Sequence, residues 1–182
     1  MKKKIFIGIG VFLVLIVGTM AFLNNRNRTL SPPGNSELTT GDFTMTVDYS
    51  RPSVKGRVIF GTEEEGALQP YGAYWRLGAN EATEISINKD VQVLNANLTA
   101  GRYTVYAVPG KESFEIFFNK DLGNWGAWEP DHSRDVASVE IPVNTGEHVE
   151  QFTIDFKQHE GVTLMICEFG ETQLLIPFLP KG

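Results

Sequence analysis

The sequence has very little sulfur chemistry: one cysteine, Cys167, in 182 residues. A lone thiol builds neither an internal disulfide nor a thiolate metal cage, and its apolar setting in VTLMIC suits a buried, inert side chain. Histidine is nearly as scarce. His132, His148 and His159 show no HxH or HExxH spacing, so the usual zinc sites are not expected. The segment EPDHSRD places Asp131 and Asp135 around His132 but lacks the alternating oxygens and glycine of a calcium loop, and reads as a turn. No GxSxG elbow or phosphate loop is present, and Ser50 and Ser53 have no nearby histidine base. No catalytic set and no cofactor are expected. A second globular domain is excluded by length, and disorder by a hydrophobic content of 42% with 12 Phe, 5 Tyr and 3 Trp.

What is present begins with an apolar run. Residues 1–4 form a basic tip carrying Lys2, Lys3 and Lys4, and the run Ile5 to Leu23 is 19 residues long. As a helix it would span about 28 Å, close to the roughly 30 Å hydrocarbon core of a bilayer. It reads as a transmembrane anchor, with the lysine flank holding the N-terminus in the cytoplasm against Arg26 and Arg28 on the far side. Thr19-Met20-Ala21 also forms a small-residue cleavage site, so the alternative is a cleaved signal peptide and a secreted or periplasmic domain. Residues 24–41 read as a polar linker, and residues 42–182 as an extracytoplasmic domain. Five of the 16 basic residues but one of the 22 acidic residues precede residue 39, so the remainder holds 11 basic and 21 acidic residues, net −10. Such a surface repels nucleic acid and anionic lipid headgroups, so neither is an expected partner, and any bound anion needs a local basic patch.

Beyond Asp42 the hydrophobic period is two. FTMTVDY, TEISI, RYTVYAV, FEIFF, QFTIDF, VTLMIC and TQLLIPF alternate as strands, punctuated by turn signals at 119–123, 144–146 and 160–161. About ten short strands without an amphipathic helix point to an all-β fold, an antiparallel β-sandwich or jelly roll, with a barrel as the other closure.

Polar chemistry gathers in two blocks. In YSRPSVKGRVIFG, Arg51, Lys55 and Arg57 stand together with no acidic residue from Tyr49 to Gly61. In PYGAYWRLGANEAT, Arg76, Asn80 and Glu81 are interleaved with Tyr71, Tyr74 and Trp75. Guanidinium forks between aromatic walls suit a small carboxylate or phosphate. The scaffolding alternative pairs the arginines with Asp48, Glu81 or Asp90. Trp125 and Trp128, in GNWGAWEP, are suited to plugging the end of a sandwich or to stacking on a sugar ring.

These blocks, with LTAGRYTVYAVPG, FNKDLGNWGAW and the later D-V-x-x-V-x-I-P-V, resemble the bacterial family catalogued as domain of unknown function 2911, over roughly Asp42 to the end of the sequence. The resemblance implies an all-β extracytoplasmic domain of an envelope protein and carries no established substrate. Leu77 stands where the family usually has Thr, Trp128 where it has Tyr, and the EEEGALQ loop before Pro70 departs from the pattern.

The leading expectation is a membrane-anchored domain that binds a small anionic or polar ligand through Arg51, Lys55, Arg57, Arg76, Asn80 and Glu81. One alternative is an envelope hydrolase using Glu81, although glycosidases normally need two carboxylates. The other is a purely structural envelope interaction domain.

Overall fold

The computed structural model describes residues 2–126 and 128–181. Met1 of the expected basic tip lies outside the described residues. Helix α1 (Lys2–Leu30) is followed by twelve strands: β1 (Pro33–Thr40), β2 (Phe43–Ser50), β3 (Phe60–Gly61), β4 (Gln69–Pro70), β5 (Thr83–Ile87), β6 (Val91–Val93), β7 (Ala96–Leu98), β8 (Gly101–Pro109), β9 (Ser113–Asn119), β10 (Asp135–Pro142), β11 (Asn144–His159) and β12 (Val162–Pro180). Six strands form one antiparallel sheet in the order β1-β2-β5-β8-β9-β10, and four form a second in the order β11-β12-β6-β7. The short pair β3-β4 is parallel.

The alternation in the sequence sets the sandwich. On β2, Phe43, Met45, Val47 and Tyr49 are buried while the residues between them are not, and one apolar cluster unites them with Ile85, Val105, Ile116, Phe152, Met165, Cys167 and Phe178 from both sheets. Each such side chain contributes about 1.5–3 kcal/mol when removed from water. Tyr49 also crosses the interior, its hydroxyl donating to the Ile154 carbonyl at 3.1 Å. At one part of the core the rings of Phe60, Trp75, Phe114, Phe152 and Phe169 meet edge to face, with centroids 4.9 Å apart for Phe60–Trp75 and 5.3 Å for Trp75–Phe152. Cys167 is buried there, and desolvation pushes its thiol far up, as a core residue should behave.

Three sequence expectations change. Residues 24–41 are not a linker. α1 continues to Leu30, seven residues past Leu23, because its last turn finds partners: Ser31 N–H donates to the Asn27 carbonyl at 2.9 Å and Thr29 Oγ1 to the Asn25 carbonyl at 2.9 Å. Residues 33–40 then form β1, fully paired with β2 from Pro33↔Ser50 to Thr40↔Phe43. An edge strand buries little, so its polar, proline-led sequence carries no strand signal; only Leu38 packs on the core, and Ser36 Oγ reaches the Ile154 carbonyl at 2.6 Å. The turn expected at 144–146 instead opens β11, whose register shifts between Thr145 and Val149 absorb the irregularity. The turn at Glu160-Gly161 is present, both residues left-handed (φ 48° and 82°), as a two-residue hairpin demands.

α1 is long and apolar enough to cross a membrane over Gly8–Leu30, and its most apolar stretch is not buried by the rest of the chain.

A fragment starting at Ser31 is expected to melt cooperatively, whereas one starting at Asp42 loses the β1 ladder and exposes the β2 edge. The difference should be at least about 2 kcal/mol, or roughly 5–10 °C in Tm, by circular dichroism. Equal melting curves would show that β1 is dispensable.

Candidate functional site

The chain leaving β2 is laced to β11: Val54 N–H donates to the Glu150 carbonyl at 2.7 Å and Phe152 N–H to the Pro52 carbonyl at 2.8 Å. With both sides held, the chain reverses through left-handed Lys55 and Gly56 (φ 50° and 66°), which presents Lys55 and Arg57 to solvent. The Arg57 guanidinium anchors to its own loop, its Nε donating to the Val54 carbonyl at 3.1 Å.

The second block is fixed still more firmly. Trp75 exchanges two backbone hydrogen bonds of 2.8 Å with Ala107 and buries its indole. Leu77, fully buried, takes φ 52°, a conformation that costs a non-glycine residue about 1–2 kcal/mol and is held by its burial. Gly78 follows at φ 147°, and a Cβ there would stand 2.8 Å from the Ser50 carbonyl oxygen, so only glycine fits. Asn80, left-handed at φ 55°, turns its amide onto the end of α1 and donates to the carbonyls of Asn27 at 3.4 Å and Ser31 at 3.0 Å. Residues 124–126 then bind alongside: Ala82 N–H to the Asn124 carbonyl at 3.1 Å and Gly126 N–H to the Asn80 carbonyl at 2.9 Å. Gly126 lies so close to the Arg76 stem that a Cβ would meet its Cδ at 2.8 Å.

These placements divide the six expected residues. Lys55, Arg57 and Arg76 line one cavity of about 310 Å³, together with Ser53, Gln69, Trp75 and the α1 end residues Leu30 and Ser31. No carboxylate lines it. Among the described residues, neither Lys55 Nζ nor the Arg76 guanidinium has a hydrogen-bonding or ion-pair partner within the protein. Half-burial pushes the Arg76 charge toward the neutral form, with the neighbouring Tyr74 opposing the shift. Beside it, the Tyr74 hydroxyl is buried without a hydrogen-bond partner.

The other three serve the scaffold. Arg51 lies outside the cavity and ties the sheets, donating from Nε to the Phe152 carbonyl at 3.3 Å and from its terminal nitrogen to Thr153 Oγ1 at 3.1 Å. Asn80 caps α1, and Glu81 pairs with Arg28 of α1. The carboxylate partners that a scaffolding role would give the arginines are engaged elsewhere: Asp48 with Arg102 at 3.6 Å and Asn35 at 2.8 Å, and Asp90 with the Ala100 N–H at 2.8 Å.

A larger cavity, about 510 Å³, lies on the other side of the Arg28–Glu81 pair and holds Asp48, Glu81, Glu84 and Arg102. Its two arginines pair with all three of its carboxylates. Glu84 accepts from Arg102 Nε at 2.6 Å and from the Gly123 N–H at 2.7 Å.

Sequence reasoning missed one cluster. EPDHSRD forms a turn of 3-10 helix at His132–Arg134, opened by Asp131 accepting from the Ser133 N–H at 3.0 Å. It delivers His132 Nδ1 and Asp135 to the Tyr106 hydroxyl at 2.8 and 2.7 Å. The exposed imidazole is raised above its ordinary value, chiefly by Glu129. Only the pairing of β8 with β9 and of β9 with β10 brings Tyr106 to this turn, so no local signal marks it. Of the two uses expected for the tryptophans, plugging the sandwich end does not fit Trp128, which is 75% exposed, and Trp125 is 37% exposed.

Gly78→Ala should cost about 2–4 kcal/mol, whereas Gly72→Ala, at φ 79° but with open space around it, should cost about 1 kcal/mol. Arg76→Ala should cost no more than about 1–2 kcal/mol, from lost packing of its stem, against the roughly 3–5 kcal/mol of a stranded buried charge. Denaturant melts of the three variants check both statements, and a large loss in Arg76→Ala would make that arginine structural.

No curated protein and no solved structure matches the chain. The family model described as a protein of unknown function (DUF2911) matches residues 31–178, which begins just past the end of α1 and takes in β1, both polar blocks and all of the sandwich but the last two residues of β12. The chain belongs to that family.

Proposed function

We propose that this is a membrane-anchored, extracytoplasmic β domain of the bacterial envelope that binds a small anionic ligand in the cavity of Lys55, Arg57 and Arg76. The carrying observation is electrostatic: in a domain of net −10, three basic residues from two separate segments line one cavity with no acid among its lining residues. Evenly mixed charges would have paired. A half-buried guanidinium without an acceptor is costly alone, and an anion offsets that cost with charge-assisted hydrogen bonds.

The hydrolase alternative is supported less well. Glu81 shares the larger cavity with Glu84 and Asp48, yet Arg28, Arg102 and Asn35 engage all three, so none is free to act on a substrate. The anchor reading is supported by the length of α1, and an N-terminus in the cytoplasm with the domain outside is supported by the lysines at its start. The domain also holds the end of α1 as part of its own structure, which favours an uncleaved segment.

Intact-mass measurement of the membrane fraction should find α1 still attached, and a mature N-terminus near Phe22 would refute the anchor. For the ligand, the full chain in uncharged detergent is titrated with inorganic phosphate, citrate and sugar phosphates while its Tm is followed. A saturable rise is expected for at least one anion. Arg76→Lys should weaken that binding by about 1.5–3 kcal/mol, roughly 10- to 150-fold, because the ammonium keeps the charge but loses the fork. Flat titrations throughout would overturn the reading.

A further inference from the structure

We propose that the anion held at Lys55, Arg57 and Arg76 is the phosphate of an anionic phospholipid headgroup, taken from the bilayer that holds α1, with the surrounding surface of the domain resting on that bilayer. The inference rests on the anion-binding and anchor readings above and adds the source of the anion.

The first support is position. The apolar run ends at Leu23, and Leu30, which lines the cavity, lies seven residues or about 10 Å further along α1. The headgroup layer occupies about 5–8 Å of each leaflet beyond the hydrocarbon. The cavity therefore opens at the outer edge of the headgroup layer, next to the lipid phosphates. The domain is also held there, because Arg28 pairs with Glu81 and the Asn80 amide grips the last carbonyls of α1.

The second support is surface chemistry. Leu30 and Leu68, 42% and 39% exposed, line the basic cavity, and Val58 beside Arg57 is 48% exposed. Across the Arg28–Glu81 pair, Leu122 is 40% exposed, and Trp125, bridged to Glu81, leads to Trp128 at 75%. Solvated leucines and tryptophans beside arginine and lysine, around the exit of an apolar helix, match the chemistry of a bilayer interface.

The third support is charge. A domain of net −10 is repelled by an anionic leaflet except where its surface carries no acid, and this cavity, which has no acid among its described lining residues, is such a place. A soluble phosphorylated molecule offers the same phosphate, so the test must separate the two sources.

The full chain is reconstituted in phosphatidylcholine nanodiscs with and without phosphatidylglycerol, and native mass spectrometry after release counts the lipids retained. In parallel, inorganic phosphate is titrated against the chain in phosphatidylcholine discs. Wild type should retain phosphatidylglycerol over phosphatidylcholine. The double variant Lys55→Gln, Arg57→Gln should retain about tenfold less, and Arg76→Lys, which preserves net charge and guards against misfolding of the double variant, should also lose retention. Phosphate binding without preference for phosphatidylglycerol would overturn the lipid source and leave the anion reading standing. Absence of both would overturn the two together. Phosphatidylglycerol retention unchanged in the variants would place the lipid elsewhere and overturn the proposal.

Discussion

Close approach of Gly78 to the Ser50 carbonyl is the contact on which the rest of the site depends. A Cβ at that glycine would sit 2.8 Å from the oxygen, so the loop after Trp75 lies directly against the end of β2. That approach forces the chain through left-handed Leu77 and Asn80. The strain is tolerated because the loop is anchored on both sides, by the Trp75–Ala107 pair and its aromatic bed before it, and by the Asn124 and Gly126 hydrogen bonds after it. With the loop fixed, Arg76 shares one cavity with Lys55 and Arg57, and Asn80 faces α1.

The same loop separates two electrostatic environments. On one side Glu81 joins Asp48, Glu84, Arg28 and Arg102 in a mutually compensating set. On the other, the basic residues line a cavity with no acid among its described lining residues, and Glu150, outside that lining, accepts from the Lys55 backbone N–H at 2.9 Å. Exposed pairs of the first kind contribute little individually, typically under about 1 kcal/mol. Their consequence here is segregation: each nearby carboxylate is occupied, which leaves the basic cavity open to an outside anion.

α1 belongs to the same construction. A helix end has carbonyls short of partners, and here a side chain of the β domain serves them: the Asn80 amide donates to the carbonyl of Ser31, just past α1, and adds a second donor to that of Asn27. Among the described residues, Asn80 and the Arg28–Glu81 pair couple the helix to the sandwich, which sets the distance between an apolar span and a basic cavity.

The strands with one buried face, such as β2, β5 and β9, are legible from alternation alone, because a half-buried strand must repeat every two residues. The long apolar helix is legible from length, and the basic cluster from the absence of acid between Tyr49 and Gly61. β1 is not legible, because an edge strand owes its place to backbone pairing with β2 and almost nothing to its side chains. Nor could sequence divide Arg51 from Arg57: they sit six residues apart in one motif, yet the lacing of Pro52 and Val54 to β11 sends one between the sheets and the other to the cavity. Tyr106, His132 and Asp135 met only through strand pairing. Composition and periodicity are local quantities and determined the fold class, the charge balance and the apolar span. Which charged groups meet, and which are left without a partner, depends on contacts between residues distant in the chain, and only the tertiary structure decided it.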